Sequence, residues 1–235
     1  MIIPVLLPGF DWETPALDAK DHPDVFHHLV RVRRVKPSHT LRLCDGHGRV
    51  QLRTIASLTR EQLVLGEILE DFTVPAPEVT LWLPLLEKSS LEEALALCAQ
   101  LPLKALRFII TEYTNTKEAL PEKYRRRALS IVESSCLQSE QAWIPAITWE
   151  PLPLTSLDFS QETWSVSIER TDKRPTRVPA LNVVIGPEGG WSPAERDFFG
   201  QIAKTYPDSV HHISLGPTIL RAETAAFLSL WSAQP

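Results

Sequence analysis

Cysteine, methionine and glycine are all scarce in this chain of 235 residues, which has three, one and nine of them. The three cysteines, Cys44, Cys98 and Cys136, are odd in number and far apart. That pattern excludes a disulfide framework and a thiolate metal site, and implies free thiols in a reducing cytoplasm. No apolar run approaches the roughly 18 to 20 residues needed to span a bilayer, so no membrane partner is expected. The segment Met1–Pro8 lacks a basic flank and its short apolar stretch is broken by prolines, so a secretory signal is not expected either. Histidines occur as the adjacent pairs His27-His28 and His211-His212, without helix-spaced partners, so no metal is expected. Nucleophile-elbow spacing for a serine hydrolase is also missing.

Acidic residues are missing from one stretch in particular. The whole chain carries a net charge of −5, which argues against a protein that coats nucleic acid wholesale. Between His27 and Arg60, however, eight basic residues face a single acid, Asp45, so the stretch is locally +7. A run so poor in counter-charges is expected to meet phosphate, and Arg31, Arg33, Arg34 and Lys36 are its densest part.

Alternating apolar residues mark a small β-rich region. Leu41 and Leu43 lead to Asp45-Gly46-His47-Gly48, a hairpin turn, and Val50 and Leu52 lead away from it. Residues 62–69 form a further strand, and Thr73-Val74-Pro75-Ala76-Pro77 reads as a stiff linker. Strands then alternate with helices. Residues 79–85, 106–111 and 164–168 read as strands. Ser89-Ser90-Leu91-Glu92-Glu93 offers two overlapping capping boxes for a helix with Leu91, Ala94, Leu95, Cys98 and Leu101 on its apolar stripe. Pro121 opens a second helix, residues 148–163 read as loop or edge, and a polar loop follows 168. The alternation implies a mostly parallel sheet covered on both faces, in an α/β fold.

Four of the nine glycines are concentrated in two runs near the C-terminus. The first is Ile185-Gly186-Pro187-Glu188-Gly189-Gly190, followed by Ser192-Pro193-Ala194-Glu195, a capping box with proline at the first helical position. The second is Leu215-Gly216-Pro217-Thr218-Ile219-Leu220-Arg221-Ala222-Glu223-Thr224. Each reads as a buried strand, a glycine turn and a helix start. Two such turns at one sheet edge would wall a cleft with backbone amides. The spacing matches neither a phosphate loop nor a dinucleotide fingerprint, so on spacing alone a tight turn and a ligand loop are both open.

Together the two runs resemble the ribosomal small subunit methyltransferase E family, of the SPOUT class of knotted methyltransferases. The resemblance rests on Ile185 to Gly190 with Ser192 and Glu195, and on Leu215-Gly216, Ile219-Leu220-Arg221, Glu223 and Thr224. It extends to His28, Arg31 and Arg34 ahead of a hairpin carrying Asp45-Gly46. It implies a PUA-like β-barrel over 1–73 for RNA binding. It implies a SPOUT methyltransferase domain over 78–235, a mostly parallel sheet with a C-terminal trefoil knot. It further implies S-adenosylmethionine as cofactor, a homodimer, and methylation at N3 of one uridine of 16S ribosomal RNA on the small ribosomal subunit. Ile185, Gly186, Gly189, Gly190, Leu215, Gly216, Ile219 and Leu220 would then hold the cofactor. Arg221 would favour the anionic base, with Glu223 or Glu188 either taking the proton or holding backbone amides. The chain departs from the family where Ala96-Leu97, Gln100-Leu101-Pro102 and Gln141 replace charged residues, and where Tyr113-Thr114-Asn115 stands in place of an arginine. The alternatives are a methyltransferase for another RNA, or a non-catalytic RNA-binding or ribosome-assembly protein.

Overall fold

The structure is a computed structural model that describes residues 1–114, 118–168 and 177–235. Asn115 and the expected polar loop over 169–176 lie outside the described residues. The chain divides into two compact units, one formed by Met1–Ala76 with Cys136–Trp143, the other by Pro77–Ser135 with Ile144–Pro235.

The first unit holds β1 (Ile2–Leu6), β2 (Ala16–Asp18), α1 (Pro23–His27), a π-turn over His28–Val32, β3 (Thr40–Cys44), β4 (Arg49–Leu58) and β5 (Gln62–Thr73). Its 5-stranded sheet has the order β1-β3-β4-β5-β2. β1 runs parallel to β3, and the remaining pairs are antiparallel. The expected hairpin is present. Asp45 Oδ1 accepts the N–H groups of His47 (2.7 Å) and Arg49 (3.2 Å), which closes the turn. β1 and β2 escape a periodicity reading because they are short and lie at the sheet edges, where Pro4 costs no ladder hydrogen bond. Leu17, Leu41, Leu43 and Leu63 are fully enclosed between these strands and α1, each contributing roughly 1.5–3 kcal/mol of burial.

The second unit holds β6 (Thr80–Pro84), α2 (Lys88–Cys98), β7 (Ala105–Ile110), α3 (Glu122–Gln138, whose last residues group with the first unit), β8 (Ala146–Pro153), β9 (Trp164–Ser167), β10 (Asn182–Val184), α4 (Pro193–Thr205), β11 (Val210–Ile213) and α5 (Ala222–Ala233). Its 6-stranded sheet has the order β11-β9-β10-β6-β7-β8, and every pairing is parallel. The two faces follow from strand alternation. Trp82, Val166 and Val184 point towards Trp191 and Phe199 on the side of α4. On the opposite face α5 packs on α2 and across β6, β9 and β10. Ser165, Ser167, Ala226 and Ser229 keep that contact close.

The start of α2 differs from expectation. Neither Ser89 nor Ser90 caps it; the N-cap is Glu87, without a side-chain cap. Glu92 is drawn instead to Arg127 of α3, which donates to both of its oxygens at 2.7 Å. That bond holds the Glu92 carboxyl below the usual carboxylate range. Of the expected apolar stripe, Leu91, Ala94, Leu95 and Cys98 are buried on the helix, whereas Leu101 lies past its end and is half-buried. All three cysteines are buried and none is in a disulfide, and burial pushes the Cys98 thiol up to about 12. No helix among the described residues is long and apolar enough to cross a membrane.

The capping box at α4 is complete. Ser192 Oγ accepts the Glu195 N–H (3.2 Å), and Glu195 Oε2 accepts the Ser192 N–H (2.9 Å). Ser192→Ala is expected to lower the unfolding free energy by about 1 kcal/mol, read as a lower urea midpoint at unchanged slope. An unchanged midpoint would contradict the role given to this cap.

Candidate functional site

Strands β10, β9 and β11 lie side by side, and the segments leaving their carboxyl ends border a cleft of about 890 Å³. Ser167 and Ile168 come from the end of β9, Ile185 to Trp191 from the loop after β10. Leu215, Gly216 and Thr218 to Glu223 come from the loop after β11 and the start of α5. Open parallel sheets place ligand sites at this edge, where the strand order reverses. Ile185, Gly186, Gly189, Gly190, Leu215, Gly216, Ile219, Leu220, Arg221 and Glu223 all line this one cleft, whose volume is that of a small-molecule site.

The glycines have more than one cause. A Cβ on Gly186 would sit 3.1 Å from the Trp191 indole, and one on Gly189 would sit 3.1 Å from Tyr113 Cβ. At these two positions the room is filled by the protein's own aromatic residues. Gly216 is required by its backbone, with φ +103°, a region that L side chains rarely adopt.

The cleft wall is rich in unpaired backbone donors. The N–H groups of Leu215, Ile219 and Leu220 make no hydrogen bond among the described residues. Helix α5 begins at Arg221 without a side-chain cap, so its first-turn N–H groups keep their partial positive charge at the cleft. Glu223, only 2% exposed, sits in that first turn, where a negative side chain is favoured. Arg221 is largely exposed at the mouth, its guanidinium 3.7 Å from the Glu223 carboxylate. Glu188 is exposed, and its Oε1 accepts the Glu87 N–H (2.9 Å), tying the glycine loop to the start of α2. Of the two roles open to Glu188, holding a backbone amide is the one the geometry displays.

Sequence reasoning passed over several residues here. Trp191, 2% exposed, donates its indole N–H to the Ser167 carbonyl (2.8 Å) and meets Phe199 edge-on. The Ser167 hydroxyl is hydrogen-bonded to that of Ser229 on α5. Ser90 and Ser167 also line the cleft. Trp191 alone had a signal, its place directly after two glycines. The serines act through tertiary contacts that spacing does not record.

In the first unit, the basic stretch separates into two groups. Arg42 is buried 3.8 Å from Glu140. Arg49 pairs with Asp71 (2.9 Å), which holds the Asp71 carboxyl below its usual range, and lies over the Trp12 ring. Arg53 donates to the carbonyls of Gly66 and Thr14. These three arginines are structural. Arg31, Arg33, Arg34 and Lys36 are exposed and have no carboxylate within 4.0 Å among the described residues. They form a knuckle with a helix-terminating geometry: Arg33 N–H bonds His28 O (2.9 Å), Val35 N–H bonds Leu29 O (3.1 Å), and Arg34 takes φ +50°. Buried Val35 anchors the knuckle. By contrast Arg125, Arg126 and Arg127 of α3 are each paired, with Glu150, Glu122 and Glu92.

Comparison with known proteins agrees with this architecture. Residues 74–234 match the RNA methyltransferase domain family, and residues 23–68 match the RNA methyltransferase PUA domain. The chain is 30% identical to the ribosomal RNA small subunit methyltransferase E of Mycobacterium bovis, covering 93% of this chain and 86% of that protein. It is 24% identical to the protein of the same name from Rickettsia conorii, over 90% and 86% of the two chains. Among solved structures it resembles a ribosomal RNA small subunit methyltransferase E from Neisseria gonorrhoeae bound to S-adenosylmethionine, with a TM-score of 0.75, 23% identity and coverage of 99% and 96%. It also resembles a methyltransferase from Legionella pneumophila in complex with the same cofactor, with a TM-score of 0.74, 22% identity and coverage of 99% and 97%. The chain belongs to the RNA methyltransferase family that includes the ribosomal RNA small subunit methyltransferases E.

Proposed function

We propose that this protein transfers the methyl group of S-adenosylmethionine to N3 of a uridine in small-subunit ribosomal RNA. The observation that carries the reading is the gathering of both glycine runs around one cleft at the carboxyl ends of β9, β10 and β11. The residues there fit the cofactor. Apolar walls from Ile185, Leu215, Ile219 and Leu220 suit a flat ring, unpaired backbone N–H groups suit its acceptor nitrogens, and the uncapped start of α5 suits a carboxylate. When bound, S-adenosylmethionine supplies an electrophilic methyl group on a sulfonium centre.

The remaining work falls to the protein, which must align the uracil for in-line attack and favour loss of its N3 proton. Arg221 stands at the mouth of the cleft, where its charge would stabilise the negative charge that moves onto a uracil carbonyl oxygen. Enclosed Glu223 serves to position that guanidinium. The basic knuckle of Arg31, Arg33, Arg34 and Lys36 would supply phosphate contacts that hold the RNA without reading its sequence. A homodimer in the cytoplasm completes the reading. Trp231, 50% exposed on α5, is the apolar surface that favours it. Sedimentation equilibrium is expected to give twice the 26.5 kDa chain mass; a monomer at micromolar concentration would remove the dimer.

Arg221→Ala is expected to leave calorimetric affinity for S-adenosylmethionine within a few-fold while cutting methyl transfer at least about 100-fold. Unchanged transfer would take Arg221 out of the mechanism, and no cofactor binding by the unmodified protein would sink the proposed function. Arg34→Gly relieves a left-handed backbone that costs a side chain roughly 1–2 kcal/mol, so it is expected to keep or raise stability. Its affinity for small ribosomal subunits should fall, with a salt slope shallower by about 1. Equal affinity and slope would remove Arg34 from the RNA surface.

A further inference from the structure

Tyr113, in the loop after β7, is an aromatic residue standing free beside the cleft. It is 44% exposed, and it makes no hydrogen bond or ring contact among the described residues. A tyrosine that served the core would be enclosed, and one that served as a strut would spend its hydroxyl. Tyr113 does neither, yet its mount is unusually well fixed. The Thr111 and Thr114 hydroxyls on either side are 2.6 Å apart in a buried pair. Thr111 N–H donates to Thr114 Oγ1 (3.0 Å), and Thr114 N–H donates to the Thr111 carbonyl (3.4 Å). Glu112 N–H donates to Glu195 Oε1 (2.8 Å), on the carboxylate whose other oxygen caps α4. The loop is thereby tied to the helix that follows the first glycine run.

Gly189, on the cleft wall, backs the ring. A Cβ there would come within 3.1 Å of Tyr113 Cβ and 3.6 Å of Cγ and Cδ2, so any larger residue would push the tyrosine away. An aromatic ring carried on a firmly tied loop, with exposed surface next to a cleft-lining residue, is the arrangement by which proteins hold single-stranded bases. Stacking needs only the π-face and costs little side-chain entropy. A methyl acceptor at N3 must be unpaired and turned out of its helix before the donor can reach it.

We infer that Tyr113 is the platform on which the target base stacks while its pairing edge faces the cleft. The inference rests on the methyl-transfer reading and adds the residue that selects and holds the acceptor. Its charge-free face accepts a flat base of either ring size, so it fixes orientation, while the choice of uridine falls to groups at the base edge.

The test compares the unmodified protein, Tyr113→Ala and Tyr113→Phe in methyl transfer to small ribosomal subunits from cells lacking this protein. Cofactor affinity and thermal melting are measured on each. The unmodified protein is expected to transfer methyl groups. Tyr113→Ala should lose about 10- to 100-fold in kcat/KM for the subunit, at unchanged cofactor affinity and melting temperature. Tyr113→Phe, which keeps the ring and loses the hydroxyl, should stay within two-fold of the original. Full activity in Tyr113→Ala, a parallel loss of cofactor affinity, or a Phe variant as poor as the Ala variant would each overturn the platform. An inactive unmodified protein would instead remove the methyl-transfer reading, and the platform with it.

Discussion

Trp191 is the post around which the cleft floor is assembled. Its indole N–H holds the end of β9 through the Ser167 carbonyl, its ring fills the space that a Gly186 side chain would need, and its edge meets Phe199 of α4. One buried residue thus sets the spacing of the end of one central strand, the turn after another and the helix beyond that turn. The neighbouring hydroxyl pair, Ser167 with Ser229, extends the same joint to α5 on the other face of the sheet. Without this packing the two glycine runs would be separate turns; with it they border a single space.

Glu195 carries the arrangement outward. One oxygen completes the α4 cap and the other holds the loop after β7, so the helix start, the glycine turn and the rim residue Tyr113 form a connected rigid frame. Against that frame, the start of α5 is left chemically open. It has no side-chain cap, its neighbouring backbone N–H groups are unpaired, and Arg221 extends into solvent. Rigid walls with unspent donors suit methyl transfer, where the protein's main task is alignment.

Local chemistry explains what could be read from sequence. The Asp45 turn, the Ser192–Glu195 cap and the apolar stripe of α2 depend on residues a few positions apart, and each was legible. The start of α2 departs from the local pattern because the helix begins at Lys88, which places both serines inside its first turn, and because Glu92 has a partner in Arg127, far away in sequence. The strand order was invisible, since parallel pairing leaves no mark on spacing. Within the +7 stretch the division of labour was equally hidden. Arg42, Arg49 and Arg53 look like Arg31, Arg33 and Arg34 in sequence, and only folding assigns the first three to internal partners. The cleft residues were legible because both glycine runs carry a recognisable pattern, whereas Trp191, Ser167 and Tyr113 gain their roles from tertiary packing.

The central claim is that this cleft aligns a methyl donor with one uridine of the small ribosomal subunit. Labelled methyl transfer from S-adenosylmethionine to subunits lacking the modification, with reverse-transcriptase stops mapping the product, tests it most directly. N3 methylation blocks the pairing edge of uridine, so the account predicts label in the RNA and one new stop at a uridine. Label without a stop, a stop at another base, or no label in the subunit would contradict it.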